Sequence, residues 1–236
     1  HQPLIVLNIP GIENVFYQDV IRGARVSAKA HGCHLLIHES PLDRGSIRDF
    51  CNLLMRVEAA GTIILNYVAE ELLDQIRGIV PLVQCCEYNE EADYPYVSID
   101  DYAAAENATE YLISCGCRKL AMINGPQSFK YARKRQEGFL SPNAFFVISD
   151  IFAAAVIRAA KRFNLNVPQD IMVVGFDNIE FSMMTTPSIT TVNQPSFQQG
   201  YSASELLLEM VENPTLTPKS LLLDAELIVR ESTMKL

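Results

Sequence analysis

The chain of 236 residues has a formal net charge of -9 at pH 7 and is long enough for one large domain or two lobes of about a hundred residues each. This acidic balance argues against nucleic-acid binding by the chain itself, because phosphate neutralisation needs a clustered excess of Lys and Arg. No apolar run reaches the roughly 20 residues of a membrane-spanning helix, and the start at His1 lacks a signal-peptide pattern. We therefore expect a cytoplasmic protein.

Strands and amphipathic helices alternate along the first half of the chain. Apolar runs predict strands at 4–8, 34–38, 62–66 and 82–86, and helical spacing predicts helices at 15–30, 46–57 and 70–79. Because these strands are apolar on both faces and separated by helices, we expect a parallel sheet covered on both sides.

The same alternation begins again after residues 97–101. It predicts helices at 102–114, 131–139, 151–163 and 197–211, and strands at 120–124, 144–148, 171–176 and 221–229. An α/β fold of two Rossmann-like lobes with parallel sheets is the simplest architecture for this order.

One junction breaks the alternation. The helix at 131–139 runs through Leu140 into Ser141, Pro142 and a strand, which leaves no room for the strand and helix expected between them. We hypothesise that a segment of a few tens of residues, about one βαβ crossover, is missing between 140 and 141.

Enzymatic, metal-binding and disulfide patterns are weak. The loop after the first strand contains a single glycine, Gly11, and the chain has no P-loop and no nucleophile elbow, so we expect neither an enzyme nor a cofactor. The six cysteines suit reduced, buried thiols. His34 and His38 lie four residues apart on a strand, about 13 Å, and cannot share a metal ion.

Four groups of motifs, taken in order, carry a resemblance to a known family. They are IPGIENVFY at 9–17 with IRG at 21–23; VSIDD at 97–101 with GCRKLAMINGP at 116–126 and RQEGF at 135–139; SD at 149–150 with NVPQD at 166–170 and VGFDN at 174–178; and PSITTVNQP at 187–195 with LIVRES at 227–232. The chain resembles the LacI/GalR family of transcriptional regulators over nearly its whole length. The chain departs from the common residues of this family at Gly11, Val15 and Cys117, and it lacks the segment expected after Leu140. Only the missing segment affects the pocket.

The resemblance implies a periplasmic-binding-protein-like type I fold with crossover strands between two lobes. The N-terminal lobe would comprise 4–100 and 194–213, and the C-terminal lobe 101–193 and 219–236. It further implies a homodimeric repressor that binds a small sugar or nucleoside between its lobes and contacts operator DNA through a headpiece absent from this chain, with no membrane partner. The run EYN at 87–89 resembles the cytidine-repressor branch, which favours a nucleoside.

Candidate ligand residues follow from sheet geometry. In open α/β sheets ligands bind beyond the carboxyl ends of the strands, and polar or aromatic residues at or beside such positions are Asn14, Phe16, Tyr17, Asn66, Cys86, Glu87, Asp100, Phe129, Arg135, Ser149, Asp150, Asp177 and Gln194. Asp177 can accept two hydroxyl bonds, Arg135 can donate a planar fork of N–H groups, and Phe16 or Tyr17 can lie against an apolar sugar or base face. The resemblance implies the same assignment.

Each candidate also has a purely structural interpretation. Asp177 can cap a turn, and Phe16 and Tyr17 can belong to the core. Asp100 and Asp150 lie where helix N-caps are expected, so a capping role and a ligand-binding role are equally good interpretations of these two residues. In the basic run of Lys130, Arg133, Lys134 and Arg135, a solvated helix face explains the first three better than a phosphate site does.

The rival function is that of a periplasmic sugar-binding protein of a transporter, which shares this two-lobed fold. The six cysteines without a disulfide framework and the start without a signal peptide favour the repressor.

Overall fold

A computed structural model describes residues 2–117, 119–139 and 143–234. Its helices are α1 (Phe16–Ala30), α2 (Ile47–Arg56), α3 (Glu70–Arg77), α4 (Asp101–Ser114), α5 (Lys130–Gly138), α6 (Asp150–Arg162), α7 (Phe181–Met184) and α8 (Ser196–Glu212). Its strands are β1 (Leu4–Ile9), β2 (His34–Glu39), β3 (Gly61–Ile64), β4 (Leu82–Cys85), β5 (Tyr96–Ile99), β6 (Lys119–Ile123), β7 (Asn143–Val147), β8 (Val173–Phe176), β9 (Thr190–Asn193), β10 (Leu221–Leu223) and β11 (Glu226–Ile228). No helix of the described ranges is long and apolar enough to cross a membrane.

The chain divides into two compact units, His1–Ser98 with Pro195–Leu223 and Ile99–Gln194 with Asp224–Leu236. The first unit contains a six-stranded sheet in the order β10-β5-β4-β3-β1-β2. Strands β1 to β5 pair in parallel, with Leu4 opposite His34 and Ile5 opposite Gly61. Residues of α1 and α8 pack on one face and residues of α2 and α3 on the other, so β1, β3 and β4 are buried on both sides.

The second unit contains a five-stranded sheet in the order β11-β9-β8-β7-β6. Strands β6 to β9 are parallel, and β11 joins β9 in the antiparallel direction. The carboxyl ends of four neighbouring strands therefore meet at one edge. The prediction of an α/β fold with two mostly parallel sheets is confirmed.

The prediction of one final strand at 221–229 is wrong. Asp224 and Ala225 separate β10 from β11, and the two short strands belong to different sheets. A continuous apolar pattern does not reveal such a division, because an edge strand of three residues needs little local sequence signal. The helix α7 was also not predicted, since four residues are too few for a periodic pattern.

The hypothesised missing segment falls on residues 140–142, which lie outside the described residues. On either side of them, α5 ends at Gly138 and β7 begins at Asn143, and β7 pairs directly with β6. In the first unit, by contrast, β2 and α2 stand between α1 and β3 in the chain, and β2 flanks β1.

Two glycines allow α1 and α8 to pack closely. A Cβ on Gly23 would lie 1.9 Å from the Phe197 carbonyl oxygen, and a Cβ on Gly200 would lie 1.9 Å from the Val20 carbonyl oxygen. Contact with backbone atoms on both sides means that no rotamer change can relieve such a clash. These two helices cover one face of the first sheet, so their separation fixes the packing of that layer.

We expect Gly200→Ala to lower the free energy of unfolding by about 1–3 kcal/mol, because the helices must move apart. Gly78→Ala is the matched control. Its Cβ would lie 3.4 Å from the nearest atom and its backbone is helical, so stability should stay equal or rise slightly. Urea denaturation measures both, and equal stability of the two variants would refute the close packing of α1 and α8.

Candidate functional site

A buried ion cluster organises the start of the second unit. Asp101, the first residue of α4, is 3% exposed, and Lys130 and Arg135 of α5 are 1% and 5% exposed. The Lys130 ammonium donates to Asp101 Oδ2 at 2.8 Å, and Arg135 Nε donates to Asp101 Oδ1 at 2.8 Å. Both carboxylate oxygens of Asp101 therefore receive a charged donor, which is what a buried charge requires.

The two cations control the protonation of Asp101. Burial by itself raises the pKa of this carboxyl, but the charges and hydrogen bonds of Arg135 and Lys130 outweigh it and hold the pKa below its ordinary value. The prediction that Lys130 lies on a solvated helix face is wrong, because its ammonium is drawn to the Asp101 carboxylate. Asp101 itself was missed: an Asp at the start of a helix is a common residue there, and no local pattern distinguishes a buried one.

Arg135 joins this cluster to the sheet edge. Its Nη1 donates to the Ile148 carbonyl at 3.2 Å, just beyond β7. The guanidinium lies 3.5 Å from the ring centroid of Phe176 at the end of β8 and 4.9 Å from that of Tyr131. The carboxylate and the two rings hold the guanidinium plane in one orientation.

Asp177 follows Phe176 directly and stands at the carboxyl end of β8. Its backbone has φ 99°, an uncommon conformation for a residue other than glycine, and its N–H donates to the Val192 carbonyl. Gln194 Nε2, beyond β9, donates to Asp177 Oδ1 at 2.7 Å. Three predicted residues, Arg135, Asp177 and Gln194, thus lie along one edge of the second sheet.

Burial raises the pKa of Asp177 to about 6, because the Arg135 charge and the Gln194 hydrogen bond offset only part of the cost of desolvation. The Asp101 carboxylate raises it further. Asp177 as a residue is half-buried, and a carboxyl whose pKa is shifted by burial and by a specific charged partner is a candidate functional group.

Asp150 lies near Asp177 but has a different environment. It is 0% exposed, and its Oδ1 accepts from the Thr191 hydroxyl at 2.6 Å while Oδ2 accepts from the Ile179 N–H at 2.9 Å. Burial raises the pKa of Asp150 to about 7, and the Thr191 hydroxyl opposes that rise. The contacts give Asp150 a structural role, since it ties α6 to β9 and to the segment before α7.

Two further candidates of the second unit act as helix caps. Asp100 is exposed and its side chain accepts from the Ala103 N–H at 3.0 Å, and Ser149 accepts from the Phe152 N–H at 3.5 Å. Phe129 precedes α5, and its ring stacks on Tyr131 at 5.5 Å. These contacts hold the residues in place at the ends of their helices.

In the first unit, Asn66 belongs to a buried polar network. Asn66 donates to the Ser40 carbonyl at 2.9 Å and accepts from Asn8 at 2.7 Å, and His38 Nδ1 lies 2.7 Å from Asn8 Oδ1. The amide of Asn66 is thereby oriented by β1 and by the residue after β2. The network fixes the carboxyl edge of the first sheet.

The remaining candidates of the first unit lie after β1 and β4. Phe16 belongs to the apolar core, and Tyr17 packs against that core with its ring 5.7 Å from Phe16. Asn14 is exposed and accepts from the Phe16 N–H at 3.1 Å, and Glu87 is 6% exposed beyond β4. Phe16 is therefore a core residue, and Tyr17 is the aromatic side chain nearer the surface.

Comparisons with known proteins all indicate the same family. The model for periplasmic binding proteins and the sugar-binding domain of the LacI family matches residues 3–146, and the model for a periplasmic-binding-protein-like domain matches residues 140–233. The chain is 28% identical to the HTH-type transcriptional repressor CytR of Escherichia coli over 98% of this chain and 80% of the relative. It is 26% identical to the ribose operon repressor of Halalkalibacterium halodurans over 98% of this chain and 79% of that protein.

Solved structures agree with these relatives. An uncharacterized protein from Actinobacillus succinogenes is 30% identical with a TM-score of 0.91, covering 98% of this chain and 99% of that one. A periplasmic binding protein/LacI transcriptional regulator from Alkaliphilus metalliredigens, complexed with D-xylulofuranose, is 25% identical with a TM-score of 0.86, covering 99% and 100%. The family model alone matches more than half of the chain, and the chain therefore belongs to the LacI family of periplasmic-binding-protein-like regulatory domains.

Proposed function

We propose that the chain is the effector-sensing part of a LacI-family transcriptional repressor and that it binds a sugar or nucleoside between its two lobes. Operator DNA would be bound by a headpiece outside this chain, consistent with the net charge of -9. The observation that carries the proposal is the Asp177 carboxylate at the sheet edge, which accepts from Gln194 and interacts with the charge of Arg135. The curated relatives reported above are repressors, so a transporter's carrier protein is not favoured.

The chemistry of this edge suits vicinal hydroxyls. Asp177 Oδ1 already accepts a hydrogen bond from Gln194, and we propose that Oδ2 accepts one from a ligand hydroxyl. Arg135, already oriented by Asp101, supplies a positive field that favours the ionised form of Asp177. Among the predicted residues, Asn14, Tyr17, Glu87 and Phe129 are the further contacts that we propose for the ligand.

We propose a pentose-containing ligand. One relative is named for the ribose operon, and one similar structure holds D-xylulofuranose. The similarity to CytR agrees with the resemblance of residues 87–89 to the cytidine-repressor branch. Cytidine and D-ribose are therefore the first probes.

Effector binding would act through a population shift. A ligand that contacts both lobes favours one lobe arrangement over the other, and a preference of about 1–3 kcal/mol changes operator affinity about 5- to 150-fold. We propose that such a chain works in the cytoplasm as a homodimer, because two headpieces at a fixed spacing match a two-fold operator.

An exposed apolar surface of the second unit supports the homodimer. It consists of side chains at the start of α6 and along α7, two helices that pack together: Ile151, Phe152, Phe181, Met183 and Met184. Phe152 is 55% exposed and Met184 is 67% exposed. Clustered apolar side chains of this size mark interaction surfaces in soluble proteins, and we propose that a second copy covers them.

We also propose that the full protein has a strand and a helix between residues 140 and 141. The second sheet ends at β6 among the described strands, whereas in the first sheet β2 flanks the corresponding strand β1. The alignment with CytR extends over 271 residues, more than the 236 of this chain, so the relative contains residues without a counterpart here. A parallel strand beside β6 would restore the order of the first sheet.

Asp177→Asn should weaken binding of cytidine or D-ribose about ten- to a hundredfold, because a hydrogen bond to a charged group is worth about 1.5–3 kcal/mol. With the pKa of Asp177 raised to about 6, wild-type affinity should also fall as the pH drops from 7 to 5. Isothermal titration calorimetry measures both effects. Asp170→Asn, an exposed carboxylate of the same unit that accepts from Asn166, is the control. Unchanged affinity in a folded Asp177→Asn variant would contradict the site assignment.

Asp150→Asn should flatten the dependence of stability on pH. The raised pKa of about 7 means that folded Asp150 holds a proton between about pH 4 and pH 7, where the unfolded carboxyl does not. The contribution of this group to stability is therefore fully present below about pH 4, falls as the pH rises from 4 to 7, and is lost above the folded pKa of about 7. Thermal unfolding at pH 5, 6, 7 and 8 measures the slope, and an identical slope in the variant would show that Asp150 is not the buried titrating group.

Phe152→Asp combined with Met184→Asp should convert a dimer into a monomer, because two charges would be buried in the proposed interface. Phe163→Asp is the control, since Phe163 is 77% exposed and follows the opposite end of α6. Sedimentation velocity gives the mass of each species. A dimer that survives the double substitution would place the interface elsewhere.

A further inference from the structure

Two adjacent cysteines end the fourth strand in an unusual arrangement. Cys85 is the last residue of β4 and Cys86 follows it, and their sulfur atoms lie 3.6 Å apart. Neighbouring side chains of a strand normally point to opposite faces of the sheet. Here they converge, and the backbone of Cys86 explains why.

Cys86 adopts a left-handed backbone conformation with φ 67°. The Glu87 N–H donates to the Cys85 carbonyl at 2.8 Å, which closes a three-residue turn with Cys86 at its centre. Turns of this kind with a positive φ are rare and strained. The Cys86 N–H donates to the Val97 carbonyl and its carbonyl accepts from the Ser98 hydroxyl at 2.6 Å, so β5 holds the turn in place.

The separation of the sulfurs suits chelation better than a disulfide. Disulfides join residues whose Cα atoms are usually 4.4–6.8 Å apart, whereas neighbouring Cα atoms are about 3.8 Å apart. Two sulfurs bonded at about 2.3 Å to one thiophilic atom can lie at most about 4.6 Å from each other. The 3.6 Å between the sulfurs of Cys85 and Cys86 is within this limit.

The residues around the two thiols favour a trivalent arsenical over a zinc ion. No group of three or more His, Cys, Asp and Glu side chains suited to a metal ion occurs in the described part of the chain, so the pair does not complete a zinc-type site. A trivalent organoarsenical needs two thiolates and brings its own third substituent. Cys86 is partly exposed and Cys85 is 0% exposed, so the arsenic would reach Cys86 first and then close on Cys85.

We propose that Cys85 and Cys86 form a chelating dithiol for small trivalent arsenicals at the carboxyl edge of the first sheet. With methylarsonous acid, CH3As(OH)2, two As–S bonds form and two As–OH bonds break. Each thiol proton leaves with a hydroxide as water, and arsenic stays trivalent. Because Glu87 beside this pair is among the residues that we propose for the effector, the chelate also blocks effector binding, and this last step rests on the proposed function.

The test uses the reduced protein with Cys115→Ser and Cys117→Ser, which removes the other closely spaced cysteines. Intact mass spectrometry after incubation with methylarsonous acid should show one bound CH3As group per chain, retained in excess glutathione and released by dithiothreitol. Adding Cys86→Ser should weaken the binding about a hundredfold or more, because the second bond is no longer intramolecular. Adding Cys33→Ser instead, a partly exposed single thiol of the same unit, should leave it unchanged.

Uptake that persists in the Cys86→Ser variant, or no uptake by the background protein, would overturn the site. If the Cys86→Ser variant does not fold, Cys85→Ala is the alternative variant that removes one thiol of the pair. The effect on the effector is read separately, as loss of the thermal stabilisation given by cytidine or D-ribose. Chelation with that stabilisation intact would overturn the link to the effector site while leaving the dithiol, and a lack of stabilisation before chelation would count against the proposed function alone.

Discussion

The buried pairing of Asp101 with Lys130 and Arg135 is the constraint on which the candidate site depends. Three ionised groups that are almost completely buried remain stable only while each has its partners, and removal of one partner from such a cluster costs about 3–5 kcal/mol. The cluster joins the first turn of α4 to both ends of α5. It also places the Arg135 guanidinium against Phe176, next to Asp177 in the chain.

The second sheet edge shows how one fold gives similar groups different tasks. Asp150 and Asp177 follow neighbouring parallel strands, and burial raises the pKa of both. Asp150 has a hydroxyl and a backbone N–H on its two oxygens and is closed to solvent. Asp177 has Gln194 on one oxygen and remains partly exposed. The contacts of Asp150 are therefore all within the unit, whereas Asp177 is the carboxylate that we propose for ligand recognition.

The sequence predicted the architecture well because alternating apolar strands and amphipathic helices are local patterns. It also singled out Arg135, Asp177 and Gln194, since each lies within a motif after or between predicted elements. It failed where the deciding partner is distant in the chain. Lys130 looked like a surface residue because Asp101 lies 29 positions away, and the division between β10 and β11 depends on which sheet each edge strand joins. The convergence of Cys85 and Cys86 depends on a positive φ that the residue type does not indicate.

The central claim is that this chain binds a small polyol-bearing effector, and a thermal-shift screen tests it most directly. The full-length protein would be screened with nucleosides, purines, pentoses, hexoses, disaccharides and their phosphates. A ligand at about 100 times its dissociation constant adds roughly 2.7 kcal/mol to the stability of the folded state, which raises the melting temperature by several degrees. The account predicts such a rise with a pentose or a nucleoside. A cooperative unfolding transition that none of these compounds shifts would contradict it.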